Sequence, residues 1–408
     1  MRYKEDFIKK VLNNTDIVDV IRKFSALEKK GDLYIGDCPF HEDKIKSMIV
    51  YKDKQIFHCF DCGRGGNALV FLMEKRGIHM DKAVELLANS AGIKITEADI
   101  DKRSNDILKA NLYKIYNDAA LFYNQKLHST DGAEAMQYVK DRQISEESIK
   151  IFGLGYATGK GKDLYKFLKA KGYTDELMLA AGLIKVSETG PYDVFRNRLM
   201  FPIMDEQKRI IAFGGRGITD EVKPKYLNSP KTQIFNKSNT LYGIHDIKGN
   251  KANYFILCEG NIDVIALHQA GYKNAVATLG TAFTSTHIPV IAKHTKNLIL
   301  SFDGDDAGQK AAMRTIKTLD GSGMGIRVLS LSPCKDPDEF LKMFGKDEYR
   351  DRLERSSTKI DFQLKYMSKP YDLTNPEQKK EYLEKVVGAI MEQQERLHPS
   401  QQSQSRER

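Results

Sequence analysis

Tyr254-Phe255-Ile256-Leu257-Cys258-Glu259-Gly260 is a short apolar run that ends abruptly in a carboxylate and a glycine. Two further runs repeat the pattern. Leu298-Ile299-Leu300-Ser301-Phe302 leads to Asp303-Gly304-Asp305-Asp306, and Ile326-Arg327-Val328-Leu329-Ser330-Leu331 leads to Asp336-Pro337-Asp338. Between them the apolar spacing is helical, over 263–270 and 307–319. Alternating strand and helix predicts a parallel α/β sheet. Ligands of such sheets bind beyond the carboxyl ends of the strands. The three acidic clusters stand at that end, so they are expected to converge.

Converging carboxylates suit a hard divalent cation. Mg²⁺ is held by one or two carboxylates together with waters and substrate phosphates. A pair of such ions can activate a hydroxyl and stabilise the leaving group of an in-line displacement. Gly260 and Gly304 let the chain turn sharply beside the acids. Each cluster alone has a plainer reading: Glu-Gly and Asp-Gly are ordinary turn pairs, and Asp305 or Asp306 could cap the next helix. Repetition at three strand ends favours the metal.

Working outward, the sharpest local signal is Cys38-Pro39-Phe40-His41 followed by Cys59-Phe60-Asp61-Cys62. Two tight turns at this spacing can present four ligands to one tetrahedral Zn²⁺, and four protein ligands make the site structural. Strands are expected at 47–51 and 55–58, joined at 52–54. His58 is a possible rival ligand, while Cys258 and Cys334 lie outside the site. Helices are expected around Phe7, Ile8, Val11 and Leu12, over 16–24 with Thr15 as N-cap, and over 67–76 and 81–90. Residues 1–95 form the zinc-binding unit, and the polar stretch 96–110 reads as a linker.

Residues 111–250 form a mixed α+β region. It starts with helices over 111–151, whose Tyr113, Ile115, Tyr116, Ala119, Phe122 and Tyr123 read as core rather than as base-stacking rings. Short helices at 164–168 and 176–183 follow, then strands at 198–204 and 209–213. From 196 to 237 there are nine Lys or Arg against four Asp or Glu. Basic residues beside glycines can bring cations and backbone N–H groups to phosphates, although a basic loop can also be a solvated surface. The acidic module occupies 251–340, a small helical bundle 341–395 and a polar, disordered tail 396–408.

The whole chain has 408 residues, 41% hydrophobic and 29% charged, an ordinary balance for a soluble globular protein. A net charge of +9 favours a polyanionic partner. No run of apolar residues is long enough to span a bilayer and no signal peptide opens the chain, so a cytoplasmic protein is expected. Five cysteines are no disulfide framework at this length. Gly159-Lys-Gly-Lys lacks the spacing of a nucleotide-binding P-loop, which excludes a fused helicase.

Glu259-Gly260 with Asp263, Asp303-Gly304-Asp305 and Asp336-Pro337-Asp338 together resemble the TOPRIM module of primases, topoisomerases and some nucleases. Cys38-Pro-Phe-His, Phe57-His-Cys-Phe, Cys62-Gly and Gly65-Gly-Asn resemble the CHC2 zinc ribbon. Arg196-Asn-Arg198, Met200-Phe-Pro-Ile, Phe213-Gly-Gly-Arg216, Lys225-Tyr-Leu-Asn-Ser-Pro and Leu241-Tyr-Gly243 resemble the basic segment of the bacterial DnaG-type DNA primases. The three occur in that family's order and cover nearly the whole chain.

The resemblance implies a nucleotidyltransferase that makes short RNA primers on single-stranded DNA from ribonucleoside triphosphates. It implies one structural Zn²⁺ on Cys38, His41, Cys59 and Cys62, and one or two Mg²⁺ or Mn²⁺ on Glu259, Asp303 and Asp305. Asp263, Asp336 and Asp338 would support them. Arg196, Arg198, Arg216, Lys225, Tyr226, Asn228 and Lys231 would bind template or nucleotide, and the zinc ribbon would help recognise the template start. Lys46-Ser47-Met48 departs from the family's usual Pro-Ser-Phe, and Asn261 stands where it commonly has Tyr. A monomer that works with a replicative helicase is expected, and the domain with which the family docks on the helicase is expected to be missing from this stretch, either because the chain is truncated or because it belongs to a phage or mobile element and recruits its helicase differently. Two rivals are a TOPRIM topoisomerase or nuclease, and a non-catalytic single-stranded-DNA-binding protein of the replisome.

Overall fold

The computed structural model describes residues 3–43, 45–247, 253–280 and 282–397. The chain divides into two compact units, Met1–Ala110 and Asn111–Arg408.

In the first unit, helices Glu5–Asn13 and Ile17–Arg22 precede a five-stranded antiparallel sheet: Leu27–Lys30, Leu33–Gly36, Met48–Tyr51, Ile56–Cys59 and Gly65–Gly66, in chain order. Met48 and Val50 are buried while Ile49 and Tyr51 are less so, the alternation of a strand with one face on a core. Helices Ala68–Arg76 and Met80–Ser90 complete that core around Phe7, Val11, Ile21, Phe57, Phe71 and Leu87. Asp16, not Thr15, caps the second helix. Its carboxylate accepts the Val18 N–H, while the Thr15 hydroxyl donates back to the Val11 carbonyl. The first strand was not legible because Leu27-Glu28-Lys29-Lys30 is largely charged and exposed. Within 96–110, expected as a linker, Ile100 bridges to Tyr3, and Asp101 accepts the Ser104 N–H at the start of helix Lys102–Leu127.

The second unit holds an antiparallel and a parallel sheet that share a buried cluster, with Leu199, Phe201 and Ile203 of the one among Ile256, Cys258 and Ile299 of the other. The antiparallel sheet runs Tyr226–Asn228, Ile210–Gly217, Arg198–Met204, Gly155–Ala157. One face is covered by Tyr116 and Tyr123, whose rings meet Phe213 at 5.8 and 5.3 Å. This makes that aromatic stripe core, as its helical spacing predicts. A hairpin, Ile184–Ser187 with Gly190–Asp193, adds strands with no apolar alternation to announce them.

The second sheet is the parallel one: Ala275–Ala277, Phe255–Cys258, Asn297–Leu300, Gly325–Val328, with the two-residue strand Ser357–Thr358 antiparallel at one edge. Helices Asn261–Gln269 and Asp306–Leu319 follow the acidic turns of the Phe255–Cys258 and Asn297–Leu300 strands. Helices Pro337–Glu354, Lys359–Ser368 and Pro376–Leu397 come last. The first of these is broken at Gly345, whose φ is 79°. The tail expected at 396–408 lies outside the described residues from 398 onward.

Candidate active site and metal centre

The zinc ligands meet as their spacing predicts. Ligand atoms of Cys38, His41, Cys59 and Cys62 all lie within 4.8 Å of one another. The Sγ atoms of Cys38 and Cys62 are 3.8 Å apart. A tetrahedral site with Zn–S bonds of about 2.3 Å has edges of about 3.8 Å, so the quartet fits one Zn²⁺. Hydrogen bonds shape it. The Cys59 thiol sits in a burial that opposes ionisation, yet Ser47 Oγ at 3.1 Å and the Cys62 N–H at 3.4 Å bring it down to about 7. Asp43 accepts the backbone N–H of Cys38 and Ser47 and so closes the loop behind the first ligand pair. His41 Nε2 meets Asp61 Oδ2 at 2.7 Å, which leaves Nδ1 for the metal. His58 is not in the quartet; its ring packs edge-on against Phe60 at 4.6 Å.

In the second unit the acidic turns also come together. Glu259 directly follows the strand Phe255–Cys258, and its Oε1 accepts the Asp303 N–H at 3.2 Å. The Gly304 N–H donates to the Lys335 carbonyl at 2.7 Å, and a Cβ on Gly304 would stand 2.8 Å from the Cys334 carbonyl. That close approach draws Asp336 beside Asp303, although Asp336 stands eight residues after the strand ends at Val328.

The charges feel one another. Asp303 is pushed up to about 6 by burial, then by Glu259, Asp336 and Asp305. Glu259 is raised by burial, with Asp305 adding to the effect and Arg314 opposing it. Asp263 is raised well above the usual carboxylate range by burial and by Asp336, Asp303 and Asp338. Carboxylates held at this cost are what a cation relieves.

Three of the acids also serve local structure. Asp305 caps helix Asp306–Leu319 through the Gly308 N–H, and Asp336 caps Pro337–Glu354 through the Glu339 N–H. Asp263 accepts the Gly260 N–H at 3.1 Å. The capping reading of Asp305 therefore holds. Asp338 is nearly buried and paired with Arg142 at 3.3 Å and Lys342 at 2.9 Å. Among the described residues, the Cys/His quartet alone draws its ligand atoms to metal-holding distances.

The basic residues divide between the two faces of the antiparallel sheet. Arg216 pairs in register with Tyr226, and Gly214 with Asn228, so these four share a face. A Cβ on Gly214 would lie 2.9 Å from Asn228 Oδ1 and 3.1 Å from Asn261 Nδ2, which places this face against the start of the helix after Glu259. Asn228 Nδ2 donates to the Leu279 carbonyl at 2.9 Å. The Tyr226 hydroxyl is raised by burial and feels Arg216, Asp263 and Arg142, although the residue as a whole is 46% exposed.

Arg198 does not reach this face. It is 3% exposed, beneath Gly215, with its Nη1 on the carbonyls of Gly215 and Lys225. Arg196, Lys225 and Lys231 are exposed and form no ion pair among the described residues. Arg196 stacks its guanidinium over Tyr192 at 5.2 Å.

Sequence reasoning missed Arg142, Tyr138, Arg314 and Lys335. Arg142 stands 196 residues before its partner Asp338, with no local pattern to mark it.

Comparison with known proteins agrees with this geometry. Residues 3–103 match the family described as CHC2 zinc finger, residues 122–248 the DNA primase catalytic core, N-terminal domain, and residues 256–341 a Toprim-like family. A DNA primase of Clostridium acetobutylicum is 37% identical over 390 residues, 95% of this chain and 65% of that protein. The chain thus spans a little under two thirds of that curated relative. The crystal structure of the zinc-binding and RNA polymerase domains of the Aquifex aeolicus primase is 32% identical with a TM-score of 0.61, covering 98% of this chain and 97% of that one. A DnaG primase catalytic domain bound to ssDNA is 31% identical with a TM-score of 0.61, covering 72% of this chain and 96% of that one. With matches of this extent through both units, the chain belongs to the DnaG-type DNA primase family.

Proposed function

We propose that this chain is a DNA primase: a DNA-directed RNA polymerase that makes short RNA primers on single-stranded DNA. The observation that supports it most is the meeting of two surfaces. Carboxylates from three acidic turns raise one another's proton affinity, and the Arg216–Tyr226–Asn228 face of a basic sheet lies against them.

Glu259, Asp303 and Asp305 would hold one or two Mg²⁺ or Mn²⁺, with Asp263, Asp336 and Asp338 in support. Bound there, the metal supplies charge neutralisation for phosphoryl transfer and lowers the proton affinity of a primer hydroxyl. The chain's own groups position. The Asp303 N–H holds the Glu259 carboxylate, and Arg216 and Tyr226 present a cation and a ring to the incoming ribonucleotide. Exposed Lys225, Lys231 and Arg196 take template phosphates. Arg198 contributes by fixing the carbonyls of Gly215 and Lys225, and so the loop that carries Lys225. The zinc ribbon would read the template start.

The same reading makes the protein a cytoplasmic monomer that works with a replicative helicase. Among the described residues no helix is long and apolar enough to cross a membrane. The test is product type. Short RNA made from four ribonucleotides on single-stranded DNA supports the proposal, whereas relaxed or cut DNA, or tight binding without synthesis, would replace it with one of its rivals.

A further inference from the structure

Arg142 and Arg216 come from distant parts of the chain, yet both lie over one aromatic ring. The Arg142 guanidinium carbon is 5.6 Å from the Tyr138 ring centroid and that of Arg216 is 4.8 Å from it. Two like charges at one ring repel, and each needs compensation. Arg142 has it in Asp338, at 3.3 Å. Arg216 does not. It is 8% exposed, forms no ion pair among the described residues, and its Nε is buried without a hydrogen-bond partner. Its contacts are the face of Tyr138 and Tyr226, whose ring lies at 5.6 Å and whose hydroxyl its side chain also reaches. A guanidinium this buried is costly unless an anion completes it, and its planar fork matches phosphate oxygens.

Tyr138 is suited to hold the pair. It lies one helical turn before Arg142, near the end of helix Ala133–Asp141, so their stacking is local and formed in advance. Arg216 reaches the same ring from the antiparallel sheet. The ring therefore joins a helix to the sheet beside Asp263 and Asp338, and its own hydroxyl is buried without a partner.

We propose that Tyr138 is a positioning residue whose ring holds the Arg142 and Arg216 guanidiniums together as a clamp for the triphosphate of the incoming ribonucleotide. This rests on the primase reading. It assigns Tyr138 no chemistry. The ring sets where two cations stand relative to the metal-binding carboxylates, and a triphosphate bridging metal and arginines is the anion that fits between.

The test compares Tyr138→Leu and Tyr138→Phe in the full chain with zinc bound, and Tyr138→Met serves if the leucine variant does not fold. Steady-state RNA synthesis gives KM for ribonucleotides and kcat. Titration with a β,γ-imido ribonucleoside triphosphate and Mg²⁺ gives binding without turnover. Loss of the ring is expected to raise KM and weaken analogue binding roughly three- to thirty-fold, the range of a partly desolvated cation–π contact, with kcat changed less. Tyr138→Phe is expected to recover what Tyr138→Leu loses.

Wild-type KM and binding in the leucine variant would overturn the clamp, as would loss confined to kcat or failure of Phe to recover. A wild type that makes no RNA but binds the analogue in a Tyr138-dependent way would sink the primase reading and keep the clamp. RNA synthesis indifferent to Tyr138 would do the reverse.

Discussion

His41 Nε2 meets the Asp61 carboxylate at 2.7 Å, while Nδ1 of the same ring is buried and has no hydrogen-bond partner. The carboxylate thereby fixes both the ring's orientation and its tautomer, with Nδ1 turned to the three cysteines. Outer partners of this kind are worth about ten- to hundred-fold in metal affinity. Asp61→Ala is expected to lose zinc to a chromophoric chelator at a concentration lower by that factor, and Asp61→Glu to recover part of it. Unchanged zinc retention would show that the pair is only a surface contact.

Gly308 stands in the first turn of helix Asp306–Leu319, where a Cβ would lie 2.1 Å from the Asp303 carbonyl. The obstacle is backbone, so either the turn or the helix must move. Gly308→Ala is expected to destabilise the protein by about 1–3 kcal/mol, and to weaken Mg²⁺-dependent activity beyond that loss because Asp303 shifts. Denaturant unfolding beside activity at saturating Mg²⁺ checks it, and wild-type values for both would refute the assigned close approach.

Asp338 neutralises both Arg142 and Lys342 while nearly buried. Asp338→Ala leaves two cations without their partner. A cost of about 1–3 kcal/mol is expected, below that of a fully buried pair because Arg142 is about one third exposed. Arg142→Leu in the same background should restore part of it. If the double variant is no more stable than the single one in urea melts, the pair is not coupled as described.

Asp303 is raised to about 6 by burial and by its acidic neighbours, from an ordinary 3.8. Between those values the folded state binds more protons than the unfolded one, so stability falls as pH rises from about 4 to about 6. Above that range the term is constant. A bound cation competes with the same proton. In zinc-loaded protein, Mg²⁺ should therefore raise the melting temperature more at pH 7.5 than at pH 5, and Asp303→Asn should flatten the difference. Equal Mg²⁺ stabilisation at both pH values would contradict the coupling.

Much of this was legible in the sequence where a residue's role depends on its neighbours in the chain. The apolar runs before Glu259 and Asp303 became adjacent parallel strands, and the Cys-x-x-His and Cys-x-x-Cys turns closed on one point. What was not legible depends on pairing across the fold. Arg198 and Arg216 look alike in a basic segment. In the register, however, Arg198 stands opposite Gly217 while Arg216 stands opposite Leu199, and that offset of one residue sends the two side chains to opposite faces. Tyr138 and Arg142 gain their meaning only from Arg216 and Asp338, which the helix and sheet bring to them. Leu27–Lys30 escaped because its stability comes from backbone pairing to Leu33–Gly36 and not from an apolar face.

The central claim is that the acidic turns carry metal-dependent RNA synthesis. The most direct measurement is primer synthesis on mixed-sequence single-stranded DNA with four ribonucleotides and Mg²⁺ or Mn²⁺, comparing wild type, Asp303→Ala and Asp306→Ala. Asp306 is exposed and pairs with Lys369, so it controls for loss of a nearby charge. Short RNA from the wild type and Asp306→Ala, with Asp303→Ala reduced by about a hundred-fold or more, is the predicted result. RNA made equally well by Asp303→Ala, or none from a wild type that holds zinc and template, would contradict it.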